Sequence, residues 1–515
     1  MGAVRRPGLI ALVACGLAFS WTMQGTGDNQ NSHYALVRAL ADRTATIDET
    51  RGEVGDLSTH DVTFHHGHAY ANKAPGLAFL SLPFYLILRA AGVVGEDDPT
   101  QMLWALGLVG SVLPAIVLLV LVRVASRRLE PGFATASAVV LGLGTLLLPF
   151  GALYFSHALS ACLVFAAFAL LLHERHERAS LVAVAAAGVV AGLAIVTEYP
   201  NAIAAAVLLP YACLRRPRSL RRASAYVGGL LVGVTPLLLY QHWAFGSLTR
   251  VSYAGANGLN GSADVDTIDL VSYGSPDLIV LLGTLFSTAG LLTLAPVLAC
   301  AAVALPVLYR RGFRPEALVV AGVCTGYLVY NSSYGSSFGG YSPGQRYLVP
   351  MLPFLALPLA VALRRFPATT VALALVSIVI SVVTTATHAL AGYQLDWFDR
   401  VSSRDFTFTA AKLVGVTGWY TIVPFFLAVA VAIVAAAFDT SWVSPRRLEV
   451  AFAGVAVLGW GAIAANAPKL PGLGGQADSL AAYGKLAVAL LVVAIAACGA
   501  WIAIRGRQRV GALMP

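Results

Sequence analysis

A carboxylate just above a membrane boundary is partly dehydrated, which raises its basicity and suits it to take a proton from a hydroxyl. Asp28 stands in such a place: Gly27-Asp28-Asn29-Gln30-Asn31-Ser32-His33-Tyr34 directly follows an apolar run. Read by its residue type alone, the same aspartate could instead cap the helix of His33 to Ala41. Further along comes Asp61-Val62-Thr63-Phe64-His65-His66-Gly67-His68, and then Asn72-Lys73-Ala74-Pro75-Gly76. Pro75 ends an extended segment and starts a helix, so Lys73 is placed either to pair with a lipid phosphate or to snorkel toward the interface. Asp61, His65, His66 and His68 are the candidate ligands for a divalent cation, although His-His-x-His lacks the i, i+4 spacing of a helical metal site. No residue pattern requires a cofactor.

Two further polar groups sit at the ends of otherwise apolar helices: His157 in Tyr154-Phe155-Ser156-His157 and Glu198 in Thr197-Glu198-Tyr199-Pro200. Ionisable side chains at membrane depth are costly, so they face a cavity or substrate, or pair with one another between spans. Finally, Tyr334 to Pro350 contains Gly339-Gly340-Tyr341-Ser342-Pro343-Gly344-Gln345-Arg346-Tyr347. Glycines there allow close backbone approach, aromatics such as Tyr347 can cover a sugar face, and Arg346 offers a fork to a phosphate.

The elements that must position these groups are membrane spans. Of 515 residues 58% are hydrophobic and only 11% charged, with a mean hydropathy of +0.76. That is about half the charge of a soluble domain, which excludes a water-soluble enzyme. Apolar runs near residues 8 to 23, 102 to 122, 133 to 151, 158 to 173, 180 to 197, 201 to 214, 223 to 245, 288 to 309, 315 to 331, 347 to 363, 367 to 388, 418 to 438, 449 to 466 and 482 to 504 predict an all-α polytopic membrane protein of about fourteen transmembrane helices. The first run follows Arg5 and Arg6 like a signal peptide but lacks an A-x-A cleavage site, and is read as an uncleaved helix. All six cysteines fall in apolar runs without CxxC spacing, so neither a disulfide framework nor a zinc site is written there.

Placing the amino terminus in the cytoplasm puts 22 of the 34 Lys and Arg but only 6 of the 25 Asp and Glu on the inner side. The net charge of +9 therefore reports orientation in a plasma membrane, with both termini cytoplasmic, and not a nucleic-acid partner. The long, chemically varied loops then face outward, chiefly residues 24 to 101, in which Pro75 to Gly95 is expected to lie as an interfacial helix. No soluble domain and no short-period repeat is evident.

This order of elements, with Gly-Asp after the first run, His-Tyr-Ala-Leu-Val-Arg-Ala-Leu, Gly-His-x-Tyr-x-Asn-Lys-x-Pro-Gly, and a late Gly-Gly-Tyr-Ser-Pro-Gly-Gln-Arg-Tyr-Leu-x-Pro, is similar to bacterial membrane glycosyltransferases of the GT-C superfamily. Protein mannosyltransferases and the lipid A aminoarabinose transferase are of this kind. The resemblance covers about residues 8 to 365, which implies a catalytic transmembrane module over 1–365 and additional helices over 366–515. It implies transfer of a sugar, with inversion, from a polyprenyl-phosphate donor to the hydroxyl of an acceptor glycan, lipid or protein on the outer face. By position, Asp28 would be the base, and Lys73 and Arg346 would neutralise the departing phosphate. His33, Tyr34, Asp61, His157, Glu198 and Tyr347 are candidate residues of the substrate cavity. Asn29 stands where the superfamily often has a second acid. The competing class is a transporter or flippase of a lipid-linked or envelope substrate; it predicts corresponding broken helices in two halves, which are not found. A third is an assembly partner that keeps the fold without catalysis.

Overall fold

The structure, a computed structural model, describes residues 6–52, 57–92, 99–177, 179–215, 219–253, 274–333, 342–391 and 397–470. The chain opens with α1 (Arg6–Trp21) and β1 (Thr22–Met23), followed by α2 (Asp28–Ala41), the strands β2 (Val62–His65) and β3 (His68–Ala71), and α3 (Gly76–Ala91). Then come α4 (Pro99–Gly107), α5 (Leu113–Leu129), α6 (Ala134–Leu143), α7 (Leu147–Ala152), α8 (Ser156–His176), α9 (Leu181–Thr197), α10 (Ala202–Cys213) and α11 (Ser219–Phe245). The second half holds α12 (Leu278–Phe286), α13 (Leu291–Leu294), α14 (Val297–Arg310), α15 (Arg314–Ser333), α16 (Leu352–Arg365), α17 (Pro367–Thr387), α18 (Trp397–Ser402), β4 (Phe408–Thr409), α19 (Val423–Asp439) and α20 (Arg447–Asn466).

Thirteen of the apolar runs read from the sequence fall on helices; the last, 482 to 504, lies outside the described residues, as does Tyr334 to Tyr341 of the glycine-rich stretch. Among the described residues, seven helices are long and apolar enough to cross a membrane, and a pair bent by 91° at Ala295 and Pro296 makes an eighth. Five shorter apolar helices accompany them. The multi-helical membrane architecture follows directly from composition; a count of about fourteen crossings stays a reading of hydropathy. Five described cysteines are free.

Two packing devices set the bundle. Gly188 and Gly192 of α9 face Gly229 and Gly233 of α11, where a Cβ on Gly229 would come within 2.0 Å of the Ala185 carbonyl oxygen. Small residues let the two backbones touch, which is how helices associate in lipid without a hydrophobic drive. The other device is a continuous turn and helix over Arg346–Arg365, whose apolar window is 94% buried, so that α5, α6, α8 and α14 pack around it. The helices after residue 365 return to the amino-terminal part: α19 lies along α1, and β4 pairs with β1 through Thr22 and Thr409.

At the arginine-rich end, four acids are clamped. Glu174 receives Arg222 in a two-pronged bridge, at 2.8 and 2.6 Å, and Glu130 takes both Arg311 and Arg364. Glu316 accepts the Tyr211 hydroxyl at 2.9 Å beside His176 and Arg175, while Asp439 accepts from Thr135 at 2.5 Å and lies 3.4 Å from Arg123. These pairs tie helix ends that are far apart in sequence.

Candidate functional site

The opposite end of the bundle is built by the segment between α1 and α3. Its hairpin turns at His66 and Gly67, whose φ values of 49° and 80° suit the turn that matches strand twist. Asp28 is the first residue of α2, and Gly27 occupies the capping position with no side-chain cap hydrogen bond, so the capping role weighed for Asp28 is not formed. The Asp28 carboxylate instead accepts the His60 backbone N–H at 2.7 Å and lies 3.2 Å from His60 Nδ1. Its neighbours on α2 hold the rest of the loop: Ser32 donates to the Asp61 carbonyl at 2.7 Å, and Gln30 Oε1 accepts the Tyr154 N–H at 2.9 Å. Tyr34 lies buried edge-on to Tyr85 of α3.

Lys73 is delivered by the turn into α3. Pro75 precedes the helix, and a Cβ at Gly76 would meet the Thr197 backbone at 2.7 Å. The glycine thus lets the start of α3 press against the end of α9, next to Glu198. The Lys73 carbonyl accepts Ser252 Oγ at 2.9 Å, and Ser252 is held in turn by Tyr199 and Thr63. With only 4% of its side chain exposed, Lys73 places Nζ 2.8 Å from Asp61 Oδ2. A snorkelling lysine would reach solvent, whereas this one is folded inward.

Asp61 therefore serves a cation already present in the protein, and the metal site considered for it with His65, His66 and His68 does not form. The hairpin separates those side chains: His65 packs on Phe245 and Tyr70 as well as on His66, and His68 pairs with Asp48 at 2.8 Å. Among the described residues no group of three His, Cys, Asp or Glu could hold a metal ion.

Around the Lys73–Asp61 pair the structure gathers residues from four distant stretches. Arg346 enters from the turn preceding α16, its Nη2 donating to the Tyr347 hydroxyl at 3.0 Å and its guanidinium 5.0 Å from that ring. Tyr347 in turn stacks on His157, ring centres 6.4 Å apart. Glu198 closes α9 and binds Ser156 at the first position of α8, and a small cavity opens between His157, Glu198, Arg346 and Tyr347. Two hydroxyl partners were not legible in the sequence: Ser156, hidden beside the more conspicuous His157, and Tyr253, which donates to Glu198 at 3.3 Å from a loop without a motif.

The electrostatics follow from this crowding. Burial works to raise the Asp61 carboxyl, but Lys73 and then Arg346 outweigh it and hold the group down at about 2. His33, fully buried on α2, is pushed down to about 3 by burial first and by Lys73 and Arg346 next, against the opposing pull of Asp61. Its ring is therefore neutral at physiological pH, and neither of its nitrogens has a hydrogen-bond partner among the described residues. Arg346 Nε and His157 Nε2 are likewise buried without one. Asp61 and His33 thus both feel Lys73 and Arg346. Buried polar atoms of this kind call for a water or a polar ligand as partner.

No protein-family model and no curated protein sequence matches the chain. Among solved structures, ArnT from Cupriavidus metallidurans bound to undecaprenyl phosphate is similar at 18% identity over 87% of this chain and 76% of that one, with a TM-score of 0.50. The oligosaccharyltransferase of Archaeoglobus fulgidus matches at 12% identity over 87% and 57% with a TM-score of 0.41. Arabinosyltransferase EmbB from Mycobacterium smegmatis matches at 12% over 88% and 41% with a TM-score of 0.39. The last two likenesses are too slight to argue from. The first is a likeness of fold alone: the chain is built like ArnT.

Proposed function

We propose that the chain moves a sugar from a polyprenyl-phosphate donor to an acceptor hydroxyl at the outer face of the plasma membrane, with inversion. The observation that carries this reading is that the buried Lys73 and the half-buried Arg346, separated by some 270 residues of sequence, both act on Asp61 and His33. In a one-step displacement the acceptor oxygen bonds to the anomeric carbon as the bond from that carbon to the phosphate oxygen breaks, and the negative charge grows on the phosphate. Fixed cations at that place stabilise the transition state more than the ground state. Arg346 Nε has no partner among the described residues and would serve a phosphate oxygen, while Lys73 would share its ammonium between Asp61 and the phosphate.

Asp28 is proposed as the base that takes the acceptor proton. It is 42% exposed and engaged with His60, so acceptor arrival would have to displace that contact. The fold likeness to a protein whose structure holds undecaprenyl phosphate supports the donor class. The transporter or flippase reading finds no favouring observation in this site, since its polar atoms converge on one small pocket.

The test is direct. Purified protein in lipid discs, given polyprenyl phosphate carrying a radiolabelled sugar together with envelope extract, should release label from the lipid into acceptor. Label that stays on the lipid while crossing from one leaflet to the other would replace this reading with transport.

A further inference from the structure

We infer that His157 Nε2 accepts a hydrogen bond from a hydroxyl of the sugar carried on the phosphate, a role that rests on the donor class proposed above. With Glu198 ionised, the direction of each proton in the chain leading to it follows. Glu198 accepts two hydroxyls, Ser156 on Oε1 and Tyr253 on Oε2. A serine hydroxyl has one proton to give. Having given it to Glu198, Ser156 Oγ can only accept, so His157 Nδ1, 3.1 Å away, is its donor. Glu198 Oε1, 3.6 Å from Nδ1, favours a proton on that nitrogen, the buried ring beside the Arg346 cation is disfavoured from carrying a second one, and a neutral imidazole protonated on Nδ1 shows a bare lone pair at Nε2.

That lone pair is aimed by packing. Phe150 lies parallel to the ring at 5.1 Å, Phe155 meets it edge-on at 5.7 Å, and Tyr347 covers it on the cavity side. His157 is 3% exposed, and Nε2 finds no donor among the described residues. A phosphate oxygen cannot satisfy it, because both atoms are acceptors. The group next to a phosphate held by Arg346 is the sugar, whose hydroxyls are donors of the required kind. Glu198 and Ser156 act through His157, as positioning residues that fix its tautomer.

The experiment measures the affinity of the full-length protein in lipid discs for bare undecaprenyl phosphate and for the same carrier loaded with mannose, glucose, galactose or arabinose. Wild-type protein should hold at least one loaded carrier more tightly than the bare one. His157→Phe keeps the stacked ring but lacks the acceptor, so this gain should shrink about tenfold while affinity for the bare carrier, the control for folding, is unchanged. His157→Gln, whose amide oxygen can accept in the same place, should retain most of the gain. A His157→Phe protein with the wild-type preference, or wild-type protein that binds all five carriers alike, overturns the inference. Wild-type protein that fails to bind bare undecaprenyl phosphate overturns the donor class and this role with it.

Discussion

Helix α8 carries ionisable groups at both ends, about 30 Å apart for its 21 residues, and the two ends are built on opposite terms. Near its finish, Glu174 has both carboxylate oxygens filled by Arg222, and its backbone carbonyl takes Arg215 at 2.6 Å. Glu130 has each oxygen filled by an arginine, and Glu316 takes Tyr211, His176 and Arg175 on one oxygen. At its start, His157 keeps Nε2 open, and both nitrogens of His33 and the Nε of Arg346 are open too. A saturated ion pair holds helices together and has nothing left to offer. An unsaturated cluster is costly in the empty protein and repays that cost only when something polar enters. Charge density alone would not separate the two regions; the state of each hydrogen-bonding atom does.

Substitutions can break this contrast from either side. The largest expected effect is on transfer itself: Asp28→Asn should slow sugar transfer by about 10²- to 10⁴-fold in a label-release assay, the range for losing a general base, while carrier binding and melting temperature stay near wild type. Unimpaired transfer would remove Asp28 as the base. Next, Glu174→Gln should strip the clamp and leave Arg222 buried without its partner, with a stability loss of about 3 to 5 kcal/mol by thermal or denaturant unfolding in detergent. Activity per folded molecule should not change, and a selective loss of turnover instead would show that the arginine-rich end is not purely structural.

Lys73→Gln and Arg346→Gln should each lower kcat/KM for the lipid donor by roughly 10- to 100-fold, the worth of one charge-assisted hydrogen bond; Arg346→Gln should change melting little, whereas Lys73→Gln should also lower it by leaving Asp61 without its cation. If both variants melt early and transfer normally, the cluster is a clamp like its counterpart. The smallest effect concerns His33. Its folded ring stays neutral down to about 3, whereas the unfolded chain protonates near 6.5. Over that window the unfolded state binds the extra proton, so stability is full above about 6.5 and falls as pH drops toward 3. Asp61 adds nothing to this slope until lower pH, since its contribution is lost only between 3.8 and about 2. His33→Gln should flatten the melting temperature measured between pH 7 and pH 4; an unchanged slope would place the titration elsewhere.

Local order in the sequence carried much of this. Helices coincide with the apolar runs because burial in lipid demands internally bonded backbone over about 20 residues, a requirement that sequence displays openly. Lys73 and Arg346 could be singled out because a cation beside Pro75-Gly76 or at the mouth of a span breaks an otherwise apolar pattern. Asp61 stands close in sequence to three histidines, which makes it a weak metal-ligand candidate as well as a candidate for the cavity. The hairpin turn at His66 and Gly67, a local feature, and the pairing of Asp61 with Lys73 across that hairpin undo the grouping.

What the amino-acid order determined by itself was the class of molecule, its helices and the chemical types available at one end. Only the tertiary structure decided which of them meet: Glu198 with Ser156, His157 with Tyr347, and Arg346 with the field of Asp61. The reason is that periodicity and composition act over one or two helical turns, while these contacts join residues tens to hundreds of positions apart. Their geometry is set by where whole helices pack, through glycine contacts such as Gly76 on Thr197 that no local pattern announces.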